Sequence, residues 1–346
     1  MTKRGCRTIT VLAAAFFFGG TLVGAGENAE IRLFEFKEPA MGTIFSIRIY
    51  GTDPIEAEAA AQAAYQRVHQ LNSIFSDYDP ESELLRFCRG PVGVATRLTP
   101  ELHEILRLSW DLAHQTEGRF DPTIGPLVRL WRQSHRLGRL PTPEKLEEAF
   151  SRTGYQFLKI NDDGTASLEV EGMRLDLGGI AKGYAADEAL AILRERGFPQ
   201  SLVAASGDLA IGEAPPKKRG WTVGLSSVAS PHEPDRFLVV RNCGISTSGD
   251  TQQFVILGGK RYSHIVDPAT GLGLTDRKSV SVLAPNATTS DSMATALSVM
   301  GANSGPLAEG VIARFVELDD GGEIREICHG QLKDKTWESL QAAPVN

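Results

Sequence analysis

Three segments of the chain repeat apolar residues at a spacing of three and four positions, which is typical of a helix with one buried face. Each segment follows an N-cap residue and a proline at the first helical position, namely Asp53-Pro54, Thr99-Pro100 and Thr142-Pro143. The apolar faces are Ala64, Val68, Leu71 and Phe75 in the first segment, and Leu102, Ile105 and Leu112 in the second. This pattern predicts three helices, the second of which ends near Gly118.

Short apolar runs between turn residues predict strands in much of the remaining chain. Two further helices are predicted, over 180–196 before Gly197 and over about 290–300 before Gly301. The predicted strands are 44–50, 156–160, 166–170, 174–177, 201–205, 221–225, 237–240, 254–257 and 280–283. Because the strands are grouped instead of alternating with helices, we expect an α+β fold, with mixed or antiparallel sheets and flanking helices in a single domain.

The N-terminal segment has a different pattern from the rest of the chain. Three cations among the first seven residues precede an apolar run over 9–23, and small residues follow it. This arrangement predicts a signal peptide over 1–25 and a mature domain over 26–346. Cys6 precedes the apolar run, so it does not occupy the position of a lipid-bearing cysteine. We therefore expect an exported, periplasmic or extracytoplasmic protein, with an uncleaved N-terminal anchor as the alternative.

Composition and charge narrow the classes of partner. The 346 residues are 42% hydrophobic and 23% charged, which is ordinary for a globular protein. Removing residues 1–25 changes the formal net charge from −7 to −10, and such an acidic chain argues against nucleic acid and against a polybasic membrane patch. Cys88, Cys243 and Cys328 remain, an odd number without a C-x-x-C pair, so no disulfide framework is predicted and a single bridge stays open.

A glycine-rich turn precedes the helix predicted from residue 180. In the segment 175–184, a strand ends at Gly178-Gly179 and a helix follows with Lys182 in its first turn. The free N–H groups of such a helix terminus favour a phosphate group. The alternative is a tight turn that uses glycine only for its backbone dihedrals. The segment lacks both the P-loop sequence and the spacing of a dinucleotide-binding motif.

The last predicted helix carries oxygen ligands on one face. Asp291 and Thr295 lie four residues apart in the segment 288–297, so a carboxylate and a hydroxyl point the same way. Oxygen ligands completed by substrate phosphates suit Mg²⁺. The alternative is a first-turn acid favoured by the helix dipole, with a threonine bonded to its own helix.

Two other polar segments carry candidate chemistry. The hydroxyl- and glycine-rich segment 243–250 is expected to be a loop that offers donors to an anion, or a polar turn. In the segment 262–271, His264 and Asp267 could form an acid–base group and its orienting partner. The alternative is a strand histidine followed by an Asp-Pro turn.

Taken together and in this order, the four segments resemble the ApbE family of FAD:protein FMN transferases. The resemblance also includes Ala40-Met41-Gly42-Thr43, Phe75-Ser76-Asp77-Tyr78 with Ser82-Glu83-Leu84, Gly118-Arg119-Phe120-Asp121-Pro122-Thr123, Gly125-Pro126-Leu127 and Trp131. It covers the chain from about Met41 to Gly301. One departure occurs in Ala204-Ala205-Ser206-Gly207-Asp208, where relatives commonly have an Asn and a second glycine before Gly-Asp, and Ser206 is the small residue there. The resemblance implies a T-fold-like catalytic domain over 26–346.

The resemblance also implies roles for individual residues. It implies Mg²⁺ bound by the Ala181 backbone carbonyl, the Asp291 carboxylate and the Thr295 hydroxyl, and His264 is our candidate for the general base. Residues expected to line the substrate FAD are Met41, Tyr78, Arg119, Phe120, Asp121, Gly178, Tyr184 and Ile265.

The implied reaction is the magnesium-dependent transfer of the FMN part of FAD to a threonine hydroxyl of a target protein. The product would carry FMN through a phosphoester bond, and AMP would be released. The expected acceptor is a subunit of a membrane redox complex. The alternatives are a pyrophosphatase that converts FAD to FMN and AMP, and a periplasmic flavin carrier without catalytic activity.

Overall fold

A computed structural model describes residues 30–249, 254–305, 307–319 and 321–331. The helices are α1 (Pro54–Phe75), α2 (Glu83–Cys88), α3 (Pro100–Gln115), α4 (Gly125–Leu137), α5 (Pro143–Phe150), α6 (Ala181–Glu195) and α7 (Ala287–Met300), with a 3-10 turn over Tyr155–Phe157. The predicted signal peptide over 1–25 and Asp250 lie outside the described residues.

The strands are grouped as the sequence predicts. They are β1 (Arg32–Ala40), β2 (Thr43–Gly51), β3 (Thr96–Arg97), β4 (Leu158–Ile160), β5 (Thr165–Leu168), β6 (Ser201–Ala205), β7 (Asp208–Ile211), β8 (Trp221–Leu225), β9 (Arg236–Val240), β10 (Cys243–Gly249), β11 (Phe254–Leu257), β12 (Lys260–Ser263), β13 (Arg277–Ala284), β14 (Ile312–Leu318) and β15 (Ile324–Gly330).

One large antiparallel sheet organises the fold. Its strand order is β1-β2-β6-β7-β10-β13-β14-β15, and every neighbouring pair is antiparallel. The smaller sheets are β3-β5-β4, β8-β9 and β11-β12. With helices on the large sheet, this architecture confirms the predicted α+β class, in which strands joined by tight turns pair with their neighbours along the chain.

The core lies between the large sheet and its helices. Phe45, Ile47 and Ile49 alternate along β2 and are fully buried, as expected for a strand with one face on the core. Helix α6 packs against β6, β7, α1 and α7, whereas α7 covers β10 and β13. None of the described helices combines the length and apolar character that crossing a membrane requires.

The three helices predicted to begin at a proline are present, but their N-terminal caps differ. Asp53 accepts a hydrogen bond from the Ile55 backbone N–H at 2.7 Å, and Thr99 accepts one from the Leu102 N–H at 3.3 Å. Thr142 forms no capping hydrogen bond through its side chain. Proline therefore marks all three starts, while a capping side chain supports two of them.

The prediction of a loop or turn over 243–250 is wrong for residues 243–249, because Cys243–Gly249 forms the central strand β10. Its small residues serve packing. A Cβ atom at Gly244 would lie 2.2 Å from the Asn286 backbone, so only glycine lets α7 begin directly above β10. The predicted strand over 174–177 is also wrong, since only Arg174 forms an isolated bridge, with Ile124.

Helices α6 and α7 are in backbone contact. A Cβ atom at Gly183 would lie 2.2 Å from the Ala287 carbonyl oxygen and 2.8 Å from Asp291 Cβ. No side chain fits at position 183 unless the helices separate. The first turns of α6 and α7 are thereby held together.

Replacing Gly183 with alanine is expected to destabilise the fold by about 3 kcal/mol or more, because the added methyl group overpacks a backbone contact. Urea unfolding measures this loss. Gly138→Ala is the control, since Gly138 has a φ of 65° with open space around its Cβ position. It should lose only about 1 kcal/mol, from backbone strain. Equal losses in the two variants would contradict the packing argument.

Candidate active site

The glycine turn before α6 lies against the side chain of Thr295. A Cβ atom at Gly179 would lie 3.0 Å from Thr295 Oγ1 and 2.9 Å from its Cγ2. Ala181, in the first turn of α6, is buried. The backbone N–H of Gly183 donates to Asp291 Oδ2 at 3.0 Å. The structure therefore brings the three predicted metal-binding residues, Ala181, Asp291 and Thr295, to the junction of α6 and α7.

A buried charge cluster forms this junction. Lys182 Nζ forms an ion pair with Asp208 and lies 3.6 Å from Asp291 Oδ1. Burial, and then the nearby Asp208 carboxylate, raise the pKa of Asp291 to about 7, although Lys182 opposes this rise. Two buried carboxylates share one ammonium group, so the cluster has unbalanced negative charge when both are ionised.

This cluster has the chemistry of a site for a hard divalent cation. The described residues contain no group of three His, Cys, Asp or Glu side chains that could hold a metal ion. A metal here would instead take backbone, hydroxyl and substrate oxygens beside the Asp291 carboxylate. Mg²⁺ is bound in this way, with one or two carboxylates and substrate phosphates. The donors of Ala181, Asp291 and Thr295 fit that requirement.

A cleft of about 620 Å³ lies beside Tyr78. Its walls include Tyr78, Trp131, Arg132, Arg174 and His264. Tyr78 and His264 are both exposed, so these two predicted residues face one open cavity. A cleft lined by an aromatic ring and cations suits a ligand that carries flat rings and negative charge.

Arg132 connects the cleft with the glycine turn. Its guanidinium forms ion pairs with Asp77 and, at 3.1 Å, with Asp176 Oδ2, and it lies 4.5 Å from the centroid of the Tyr78 ring. The other oxygen of Asp176 accepts a hydrogen bond from the Gly178 N–H at 2.8 Å. Burial raises the pKa of Asp176, as does Asp77, while Arg132 lowers it. Asp176 therefore fixes the glycine turn relative to the cleft.

The predicted segment 119–121 has mainly structural contacts. The buried carboxylate of Asp121 accepts hydrogen bonds from the N–H and hydroxyl of Thr123, at 2.7 and 2.6 Å, and from the Tyr155 N–H at 3.1 Å. Phe120 is part of the core. The half-exposed Arg119 has Nη1 4.0 Å from Asp267 Oδ1. Because the Asp121 carboxylate holds this loop together, its bonds to Thr123 and Tyr155 shape the surface near Arg119.

Met41, Tyr184 and Ile265 do not line the cleft beside Tyr78. Met41 lies in the turn between β1 and β2 with a φ of 48° and packs against the core. Tyr184 is buried, and its hydroxyl donates to Glu104 Oε2 at 2.7 Å. Burial and this carboxylate raise the pKa of Tyr184. Ile265 is half-buried next to His264, and its N–H donates to Ser263 Oγ.

Sequence reasoning missed the ionic partners of this site. It gave no role to Asp208, Arg132 or Glu104, because each partner comes from a distant part of the chain. Asp208 follows the β6–β7 turn, in which Ser206 has a φ of 60°, a conformation that favours glycine. The departure from glycine at Ser206 pointed to this turn, but no local signal linked the turn to Lys182.

Comparison with known proteins identifies relatives of this chain. The profile of the ApbE family matches residues 41–310. The FAD:protein FMN transferase of Treponema pallidum is 30% identical over 296 residues, which is 80% of this chain and 81% of that protein. That of Vibrio cholerae is 31% identical and covers 82% of this chain and 87% of its own.

Solved structures show the same fold. A structure of the flavin transferase ApbE from Vibrio cholerae has a TM-score of 0.78 and 27% identity, and it covers 87% of this chain and 98% of its own. The ApbE protein of Thermotoga maritima has a TM-score of 0.73 and 29% identity, covering 85% of this chain and 96% of its own.

The raised pKa of Asp291 predicts a pH-dependent stability difference. Between about pH 4 and pH 7, the unfolded state has lost this proton while the metal-free native state keeps it, so the Asp291 group lowers the free energy of unfolding as pH rises. Asp291→Asn should therefore be more stable than wild type at about pH 8, by on the order of 1 kcal/mol, and gain less at about pH 5.

Urea unfolding in EDTA at the two pH values measures this difference. The fully exposed Asp162 provides the control Asp162→Asn, which should follow wild type at both pH values. A gain in Asp291→Asn that does not change with pH would contradict the assigned titration.

Proposed function

The chain belongs to the ApbE family and is a transferase, and on this premise we propose that it transfers the FMN part of FAD to a threonine hydroxyl of a target protein. The reaction is magnesium-dependent and releases AMP. The observation that carries the proposal is the buried Asp291 carboxylate beside Thr295 at the first turn of α6. A protein that only carries flavin has no need for a buried carboxylate with a raised pKa.

In this proposal, the phosphates of FAD bind at the glycine turn, Gly178-Gly179. Gly178 is exposed, so an anion can approach the backbone there. The positive end of the α6 dipole favours negative charge at this turn. Ala181, Asp291 and Thr295 would hold Mg²⁺ there. The bound ion would neutralise diphosphate charge and act as a Lewis acid.

The FMN phosphoryl group is then transferred from AMP to the acceptor in a single displacement. His264, in its neutral form, accepts the proton of the acceptor threonine hydroxyl. The threonine oxygen forms a bond with the FMN-side phosphorus, and the bond from that phosphorus to the bridging oxygen breaks. The electron pair leaves with AMP. The exposed position of His264 on the cleft wall supports this role, because an acceptor from solution can reach it.

We propose that residues 1–25 direct export and that the acceptor is a subunit of a membrane redox complex facing the same compartment. N-terminal sequencing of the protein from a periplasmic fraction should begin near residue 26. A chain that retains Met1 in the membrane fraction would show instead that the segment is an uncleaved anchor.

The reaction is tested by mixing the protein with FAD, Mg²⁺ and such a subunit. Transfer predicts flavin fluorescence that stays on the acceptor in a denaturing gel, with AMP released in equal amount. Free FMN together with AMP, and no labelled acceptor, would identify a pyrophosphatase. Intact FAD after long incubation would identify a carrier.

Asp291→Ala is expected to reduce magnesium-dependent transfer by at least about 100-fold, because it removes the only carboxylate of the proposed metal site. Labelled acceptor formed per minute is measured across a magnesium titration. Asp162→Ala, which removes an exposed carboxylate, should retain wild-type activity. Wild-type rates in Asp291→Ala would disprove the metal assignment.

His264→Asn should lower kcat by about 100-fold or more with little change in the KM for FAD, as expected for the loss of a general base. The rate is followed through AMP release. A rise in the KM for FAD at unchanged kcat would assign His264 to flavin binding instead of proton transfer.

A further inference from the structure

The cleft beside Tyr78 carries a row of arginine side chains, although the chain has a net charge of −7. Arg129, Arg132 and Arg136 come from α4, and Arg174 also lines the cleft. Positions 129, 132 and 136 are three and four residues apart, so they share one face of the helix. Four arginine side chains of this acidic protein therefore line one cavity.

The arginines differ in their partners. Arg132 is neutralised by Asp77 and Asp176. Across the described ranges, no ion pair or hydrogen bond engages the side chains of Arg129, Arg136 or Arg174. Uncompensated cations at the open edge of a cleft attract an anionic partner from solution.

The spacing of this row favours a polypeptide over the diphosphate of FAD. Seven residues of α-helix rise about 10 Å, which separates Arg129 from Arg136 by roughly the length of three residues in an extended chain. The two phosphates of FAD share one oxygen and cannot span that distance.

Exposure points to the same conclusion. Arg129 and Arg136 are exposed, whereas a residue that holds a small ligand is usually enclosed with it. Exposed cations at the rim of a site chiefly steer a charged macromolecule and set its register.

We propose that Arg129 and Arg136 dock an acidic, extended segment of the acceptor protein across the cleft, with the reacting hydroxyl toward His264. This inference rests on the proposed transfer to a protein. It also specifies the kind of acceptor segment, which is one with carboxylates spaced about three residues apart.

The test compares Arg129→Glu/Arg136→Glu with wild type in steady-state transfer to the redox-complex subunit. At low salt, kcat/KM for the acceptor should fall about tenfold or more, while the KM for FAD stays within about twofold. Added salt should lower the wild-type value and leave the variant nearly unchanged. Arg129→Lys/Arg136→Lys should retain most activity, because it keeps both charges.

Arg325→Glu is the matched control, since Arg325 is exposed on β15 and does not line the cleft. It should behave as wild type. An increased KM for FAD in the double variant would assign the arginines to the nucleotide and overturn the proposal. Unchanged kinetics toward both substrates would also overturn it.

Fluorescence anisotropy of a labelled acceptor separates this inference from the proposed function. Binding of the acceptor to the FAD-loaded wild type, but not to Arg129→Glu/Arg136→Glu, supports docking even if no FMN is transferred. In that case the missing transfer contradicts only the proposed reaction. Equal binding by both proteins, or none by either, contradicts docking.

Discussion

The backbone contact between α6 and α7 is the constraint on which the candidate active site depends. Gly183 lies against the carbonyl of Ala287, and Gly244 below lets α7 start directly over the sheet at Asn286. Because α6 and α7 lie this close together, the Gly183 N–H donates to the Asp291 carboxylate at 3.0 Å. Glycine at these positions therefore places the carboxylate of the proposed metal site beside the helix terminus at which the substrate phosphates are proposed to bind.

The cluster at this contact has a cost for the fold. A carboxylate that is buried with a second acid and one lysine is stabilised less than it would be in water. Burial and the unbalanced negative charge of this cluster raise the pKa of Asp291, and in the proposed function a divalent cation would offset that charge. Sites in which function opposes stability are expected to break the rules that govern the rest of the core.

Local patterns predicted the parts of the fold that depend on local physics. Proline after a capping residue marked α1, α3 and α5, and the four-residue spacing of Asp291 and Thr295 predicted that they share a helix face. The failures involve distant partners: the polar composition of β10 suggested a loop because its packing against α7 is invisible in the segment itself. For the same reason, the pairing of Arg132 with two acids far along the chain had no signal.

The two oxygens of Asp176 serve different parts of the site, and this division has an energetic consequence. One oxygen is bound to Arg132 at the cleft, and the other holds the Gly178 N–H at the turn where the phosphates are proposed to lie. A ligand that drew Arg132 away would free charge on Asp176 and strengthen its hydrogen bond to the turn. Ligand binding at the cleft would then favour binding at the turn, and by thermodynamic linkage the reverse would hold to the same extent.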